Sequence, residues 1–171
     1  MSEPPRLDSA PADPAPVDSA RLDLDLPAAH RYARVGRRVV RSFARLEGVI
    51  GSGLDELSLV VSELLSNCVD HGGGGGAMEA ADRDGDVRMR LELEIGAGSW
   101  ELLVSDQGGG AVEEVLRFVD AEPEVALLDE RGRGFLLLRE LVDTLGVEAS
   151  KDGLGLGIRV RRAIAAAGGD N

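Results

Sequence analysis

Three clusters in this chain have residue types and spacings suited to phosphate chemistry. In "SELLSNCVDHG", Glu63 and Asn67 lie four residues apart, with His71 one turn further on. On a helix, at about 100° per residue, the three share one side. A carboxylate there can take a proton from an attacking hydroxyl or water. An amide oxygen one turn away can complete the shell of a Mg²⁺ ion that bridges phosphates. In "VSDQGGG", Asp106 ends a predicted strand and can accept a hydrogen bond from an exocyclic amine such as that of adenine. Gly108 and Gly110 let the backbone come close to a ligand. In "ERGRGFLLL", Gly132, Arg133 and Gly134 open a predicted helix, where free N–H groups, the helix dipole and a cation favour phosphate. No G-K-[ST] follows, so this is not a Walker loop, nor is it a G-x-G-x-x-G fingerprint.

Each cluster alone is also what an ordinary half-wet helix face, a post-strand turn or a helix-start loop would show. The five glycines Gly72 to Gly76 can cradle phosphates or form slack chain. Their place after a helix favours a helix stop followed by a flexible loop.

The elements that must position these residues follow from periodicity. Leu22, Leu24 and Leu26 alternate as in a strand. Residues 28–46 read as a helix with Val35, Val39, Phe43 and Leu46 at helical spacing. That helix carries Arg31, Arg34, Arg37, Arg38, Arg41 and Arg45 without an acidic residue, a solvated face or a dock for an acidic partner. A second helix spans about 54–71, with Ser52 or Asp55 as candidate caps. "VRMRLELEI" and "WELLVSD" predict a hairpin across "GAGS". Residues 111–130 read as a short helix and loop, and "GFLLLRELVDTLG" as an apolar helix ending at Gly146. "VEAS" and "IRVRR" flank "KDGLG" as a terminal hairpin. The order implies an α/β (α+β) two-layer sandwich, a mixed, mostly antiparallel sheet with helices on one face.

Composition bounds the function. The 171 residues suffice for one core, and residues 1–20, holding five of the seven prolines, read as a disordered tail. A net charge of -12 and 3% aromatics argue against nucleic acid as a direct partner. The lone Cys68 forms no internal disulfide or zinc cluster. With neither a secretory leader nor a membrane span predicted, a cytoplasmic setting is the default expectation.

Taken in order, E-x-x-x-N on a helix, D-x-G-x-G after a strand and G-x-G entering a helix resemble the motif boxes of the histidine-kinase-like ATPase (GHKL) superfamily. Its domain is the Bergerat ATP-binding fold. The compact form "ELLSNCVDHG…VSDQGGG…RGRGFLLLRELVD" is most similar to bacterial anti-sigma-factor serine/threonine kinases of partner-switching systems. The resemblance implies an ATP-binding domain over residues 21–165 and a short C-terminal tail at 166–171. It implies ATP and Mg²⁺ as cofactors, Mg²⁺ on Asn67, and the adenine amine on Asp106. Gly108 and Gly110 would touch the nucleotide through backbone, and Gly132, Arg133 and Gly134 would lie near the phosphates. Glu63 would be the catalytic base that activates a serine or threonine of an anti-anti-sigma protein, with His71 at the helix end. Antagonist and sigma factor would compete for the kinase, and such kinases often form homodimers. A non-catalytic, ATP-dependent partner-binding regulator is the alternative, and retained Glu63 and Asn67 favour the kinase. Residues 111–130 fit a short ATP lid. The family often has Gly-Thr in the last strand near the adenine-binding Asp, and the best match here is Gly157–Ile158.

Overall fold

The computed structural model describes residues 19–71, 87–96 and 98–164. The Gly72–Gly76 run, the acidic loop after it and the C-terminal tail lie outside the described residues, as does the N-terminal tail up to residue 18. Alternating leucines make strand β1 (Ala20–Pro27), which pairs with β2 (Arg88–Gly96) so that Leu22, Leu24 and Leu26 face Leu93, Leu91 and Met89. β2 turns into β3 (Ser99–Asp106), and the hairpin sets Leu91 opposite Val104 and Leu93 opposite Leu102. The terminal hairpin, β4 (Thr144–Ala149) and β5 (Leu156–Ala163), docks through β5 onto β3. The strand order is β1-β2-β3-β5-β4, antiparallel at every pairing.

Period two gives the sheet two unlike faces. Met89, Leu91, Leu93, Trp100, Leu102, Val104 and Val160 form the buried face. The other face carries a lattice of ions: Arg21 reaches Glu92 at 2.8 Å, and Arg159 joins Glu101 at 2.6 Å and Glu148 at 2.9 Å. Exposed pairs of this kind add little stability each. Leu103 is nonetheless buried on that face.

Helices α1 (His30–Leu46), α2 (Gly51–Asp70) and α5 (Glu130–Leu141) supply most of the rest of the core. α1 departs from the spacing expected of it. Its buried residues are Gly36, Val40 and Ala44, whereas Val35 is 48% exposed and Leu46 84% exposed. Small residues decide the contact line, because a Cβ on Gly36 would already lie 3.0 Å from Leu26 Cδ1 and 3.1 Å from Leu65 Cδ1. Val35 and Val39 lie off the line of Gly36, Val40 and Ala44 and are turned outward.

Two other expectations are corrected. α2 starts at Gly51 behind Ile50, an N-cap without a side-chain hydrogen bond, and Ser52 and Asp55 lie inside the helix. Asp55 instead accepts from Arg41 Nη2 at 2.8 Å. α5 ends at Leu141, not Gly146: Val142 is already extended, and Leu145 and Val147 are partly buried strand residues opposite Val160 and Ile158. Asp143 holds that switch, donating its N–H to Arg161 O at 2.8 Å and accepting Ala163 N at 2.6 Å. Between β3 and α5 lie two short helices, α3 (Val112–Val119) and α4 (Pro123–Ala126). No described helix is long and apolar enough to cross a membrane.

Candidate functional site

α2 buries Leu57, Val60, Val61, Leu64, Leu65 and Cys68 against the sheet and α5. Glu63 and Asn67 fall at the margin of that stripe, half-buried, one turn apart. The turn before them is tied to its neighbour: Ser58 accepts from Arg41 at 2.8 Å, and Ser62 from Arg37 at 3.1 Å. His71 is the exposed C-cap, its N–H on Asn67 O at 2.9 Å, consistent with a helix-end position.

β3 delivers Asp106 to the end of the sheet beneath α2. Its Oδ1 accepts from Gly108 N at 2.9 Å and Leu156 N at 3.5 Å. Among the described residues both bonds fall on Oδ1, which leaves Oδ2 for a ligand. Burial pushes the Asp106 carboxyl above its ordinary range, partly offset by those two N–H donors and the charge of Arg131. After it, Gly109 and Gly110 take positive φ (74° and 109°), so the chain reverses where a side chain would be strained.

The last strand meets Asp106 at its first residue, Leu156, and at Gly155 just before it. A Cβ on Gly155 would collide with the Asp106 carbonyl and Oδ1. Gly157 lies opposite Ser105, and Ile158 opposite Val104, further along β3. The glycine pair at the carboxylate is thus one G-x step earlier than expected. "GLGLG" reads alike in several registers, and only sheet pairing selects one.

At the start of α5, Asp129 is the N-cap, and its Oδ1 accepts from Arg131 N at 2.8 Å and Gly132 N at 3.4 Å. Gly132 is packed on α4, where a Cβ would lie 2.6 Å from Ala126 O. Gly134 faces α2: its Cβ would stand 3.2 Å from Glu63 Oε2. Arg133 is exposed, and the arginine that turns inward is Arg131. The two alternate around Gly132 in "RGR", so only the phase of the helix distinguishes them.

A small cavity joins these parts. Asn67, Cys68, Val104, Asp106, Val115, Arg131, Leu156 and Ile158 line a space of about 20 Å³, room for about one water. Among the described residues, the buried Asn67 Nδ2 and Arg131 Nε find no hydrogen-bond partner. Buried donors of this kind normally find an acceptor. The Cys68 thiol is pushed up by burial and is a packing group, not a nucleophile. The described residues hold no group of three His, Cys, Asp or Glu fit for a metal, so a cation here would rely on Asn67 and a ligand's own oxygens. A free carboxylate oxygen beside unsatisfied donors suits a ligand that carries an amine at one end and anionic oxygens at the other.

Known proteins resemble this chain over most of its length. The family profile described as histidine kinase-like ATPase domain matches residues 26–161. The serine-protein kinase RsbW of Halalkalibacterium halodurans is 27% identical over 135 residues, covering 77% of this chain and 76% of that protein. The serine-protein kinase RsbW of Bacillus pumilus is 27% identical over 133 residues, covering 75% and 78%. Among solved structures, a chain of the SiaB–SiaC complex from Pseudomonas aeruginosa superposes with a TM-score of 0.52 at 15% identity, covering 84% of this chain and 89% of that one. That likeness is one of fold.

Proposed function

From a chain that belongs to the histidine kinase-like ATPase family, we propose a protein serine/threonine kinase that uses Mg-ATP and acts as an anti-sigma factor in a partner-switching system. The observation that carries the proposal is the buried Asn67 Nδ2, without a partner among the described residues, sharing one cavity with Asp106, while Glu63 stands one turn away against Gly134.

In this reading Asp106 Oδ2 accepts the adenine amine, and the glycines after it follow the base closely. Asn67, its amide turned to present oxygen, holds Mg²⁺. Gly132, Arg133 and Gly134 border the phosphates. Bound Mg-ATP supplies the phosphoryl group and neutralises its charge. Glu63 takes the proton of a partner's serine or threonine hydroxyl as the Oγ–P bond forms and the bond to ADP breaks. Gly134 leaves the carboxylate room to reach it.

The two relatives named serine-protein kinase support the reaction class. The partner is proposed to be an anti-anti-sigma protein, with a sigma factor as its competitor, in the cytoplasm. The docking face is proposed to be the outer side of α1. Exposed Val35 and Val39 lie there beside Arg34 and Arg38, neither of which has an ion-pair partner among the described residues. A binder that responds to ATP without transferring phosphate is the second reading, and the Glu63 geometry favours the first.

The test is phosphoryl transfer from labelled ATP, with Mg²⁺, to a protein captured by the full chain, followed by mass spectrometry for phosphoserine or phosphothreonine. Glu63→Gln is expected to bind nucleotide and transfer almost none. Equal transfer by the variant would remove Glu63 from the base role. Capture that depends on ATP without any phosphorylation would establish the binder instead.

A further inference from the structure

The nucleotide cleft is divided in two by one side chain. On the inner side lies the cavity of about 20 Å³ against Asp106 and Asn67, too small for a purine. On the outer side, between α3, α4 and the start of α5, lies a second cavity of about 430 Å³, bordered by Phe118, Val125, Ala126 and Asp129. Arg131 lines both. The inner cavity's other walls are short side chains from α2, α3 and the sheet. Arg131 is the long, flexible one.

We propose that Arg131 is the gate of this cleft, closed when its guanidinium stands beside Asp106 and open when it swings away to merge the two cavities. The proposal rests on the nucleotide reading above. Two attractions hold the gate: the negative charge of Asp106, and the Phe118 ring, whose centroid is 5.4 Å from the guanidinium carbon. One feature works against closure, the buried Nε–H that no acceptor among the described residues meets. The closed position is therefore held but not locked. The outer cavity alone already has the size of a small-molecule site, and opening the gate joins it to Asp106. Because Asp106 would be the contact for the base, the gate competes with adenine, not only with phosphate. A cleft closed most of the time weakens every ligand in proportion to the open fraction.

The experiment is stopped-flow binding to the full chain with two fluorescent probes, an ATP derivative and a phosphate-free adenosine derivative. Arg131→Ala should raise the association rate of the adenosine probe by about tenfold, as expected when a held cation is removed from the path. Phe118→Leu, which keeps the arginine and removes its ring, should raise it in the same direction by less. It also serves if Arg131→Ala fails to fold. An unchanged adenosine rate in the folded variants would overturn the gate, even if ATP binding weakened, because Arg131 would then be a phosphate ligand alone. Failure of the wild type and both variants to bind either probe would overturn the nucleotide reading and the gate with it.

Discussion

Asp106→Asn should move stability and ligand binding in opposite directions. The amide keeps an oxygen where Oδ1 accepts from Gly108 N at 2.9 Å and Leu156 N at 3.5 Å, so the turn and the β5 contact survive. What changes is Oδ2, which becomes an NH₂ donor. If Oδ2 receives an exocyclic amine, donor then faces donor. A hydrogen bond to a charged group is worth ~1.5–3 kcal/mol, so nucleotide affinity should fall ~10- to 150-fold. Stability should not fall with it. Burial is the largest influence on this carboxyl and outweighs its two N–H bonds and Arg131, so the folded protein holds the charged form unwillingly. A group with a raised folded pKa stabilises fully below its unfolded value of 3.8, and that contribution is lost as pH rises through the folded value. The neutral amide escapes this loss. Tm of the variant at pH 7 should equal or exceed that of the wild type, by at most ~2–4 °C per kcal/mol for a chain of this size. The advantage should vanish as the pH approaches 3.8. Isothermal titration with ATP and thermal melts at several pH values read both quantities. Unchanged affinity would remove Asp106 from the base contact. A large drop in Tm at pH 7 would show that its charge holds the fold, contrary to the argument.

Gly134→Ala puts a Cβ 3.2 Å from Glu63 Oε2, tight enough to push the carboxylate aside by a few tenths of an ångström. Alanine in a helix should add ~0.5–1 kcal/mol of stability while phosphoryl transfer drops by up to ~10-fold, read by melting and by labelled ATP. Gly155→Ala, whose Cβ meets the Asp106 backbone, should cost ~1–3 kcal/mol in urea unfolding and weaken nucleotide binding too. Asp152 is held at about 2 by the Gln107 and Ser150 side chains and Leu154 N, so its stabilisation is present above 3.8 and lost as pH falls toward 2. Asp152→Asn should flatten the acid limb of the urea midpoint-against-pH curve.

The sheet was legible because leucine alternation in "RLDLDL" and "RLELEI" repeats with period two, and the hairpin at "GAGS" fixed its first register. Asp106 and the α2 polar pair were legible because short motifs place them at element ends or on one face. The face of α1 was not legible. Val35 and Val39 look like core by type, and the decision rests on which side lets two helices approach, a matter for Gly36 and Leu65 together. The same holds for Arg131 against Arg133 and for Leu156 against Ile158. Each choice depends on a helix phase or a strand register fixed by residues far along the chain.

The Arg37–Ser62 and Arg41–Ser58 contacts have a mechanical consequence. They brace the arginine-rich helix to the very turn that precedes Glu63, with Asp55 as a further strut at 2.8 Å from Arg41. The two helices therefore share one stiffness. A protein that grips the outward valines and bends α1, even slightly, would load the turn that carries Glu63, the proposed base, without entering the cleft.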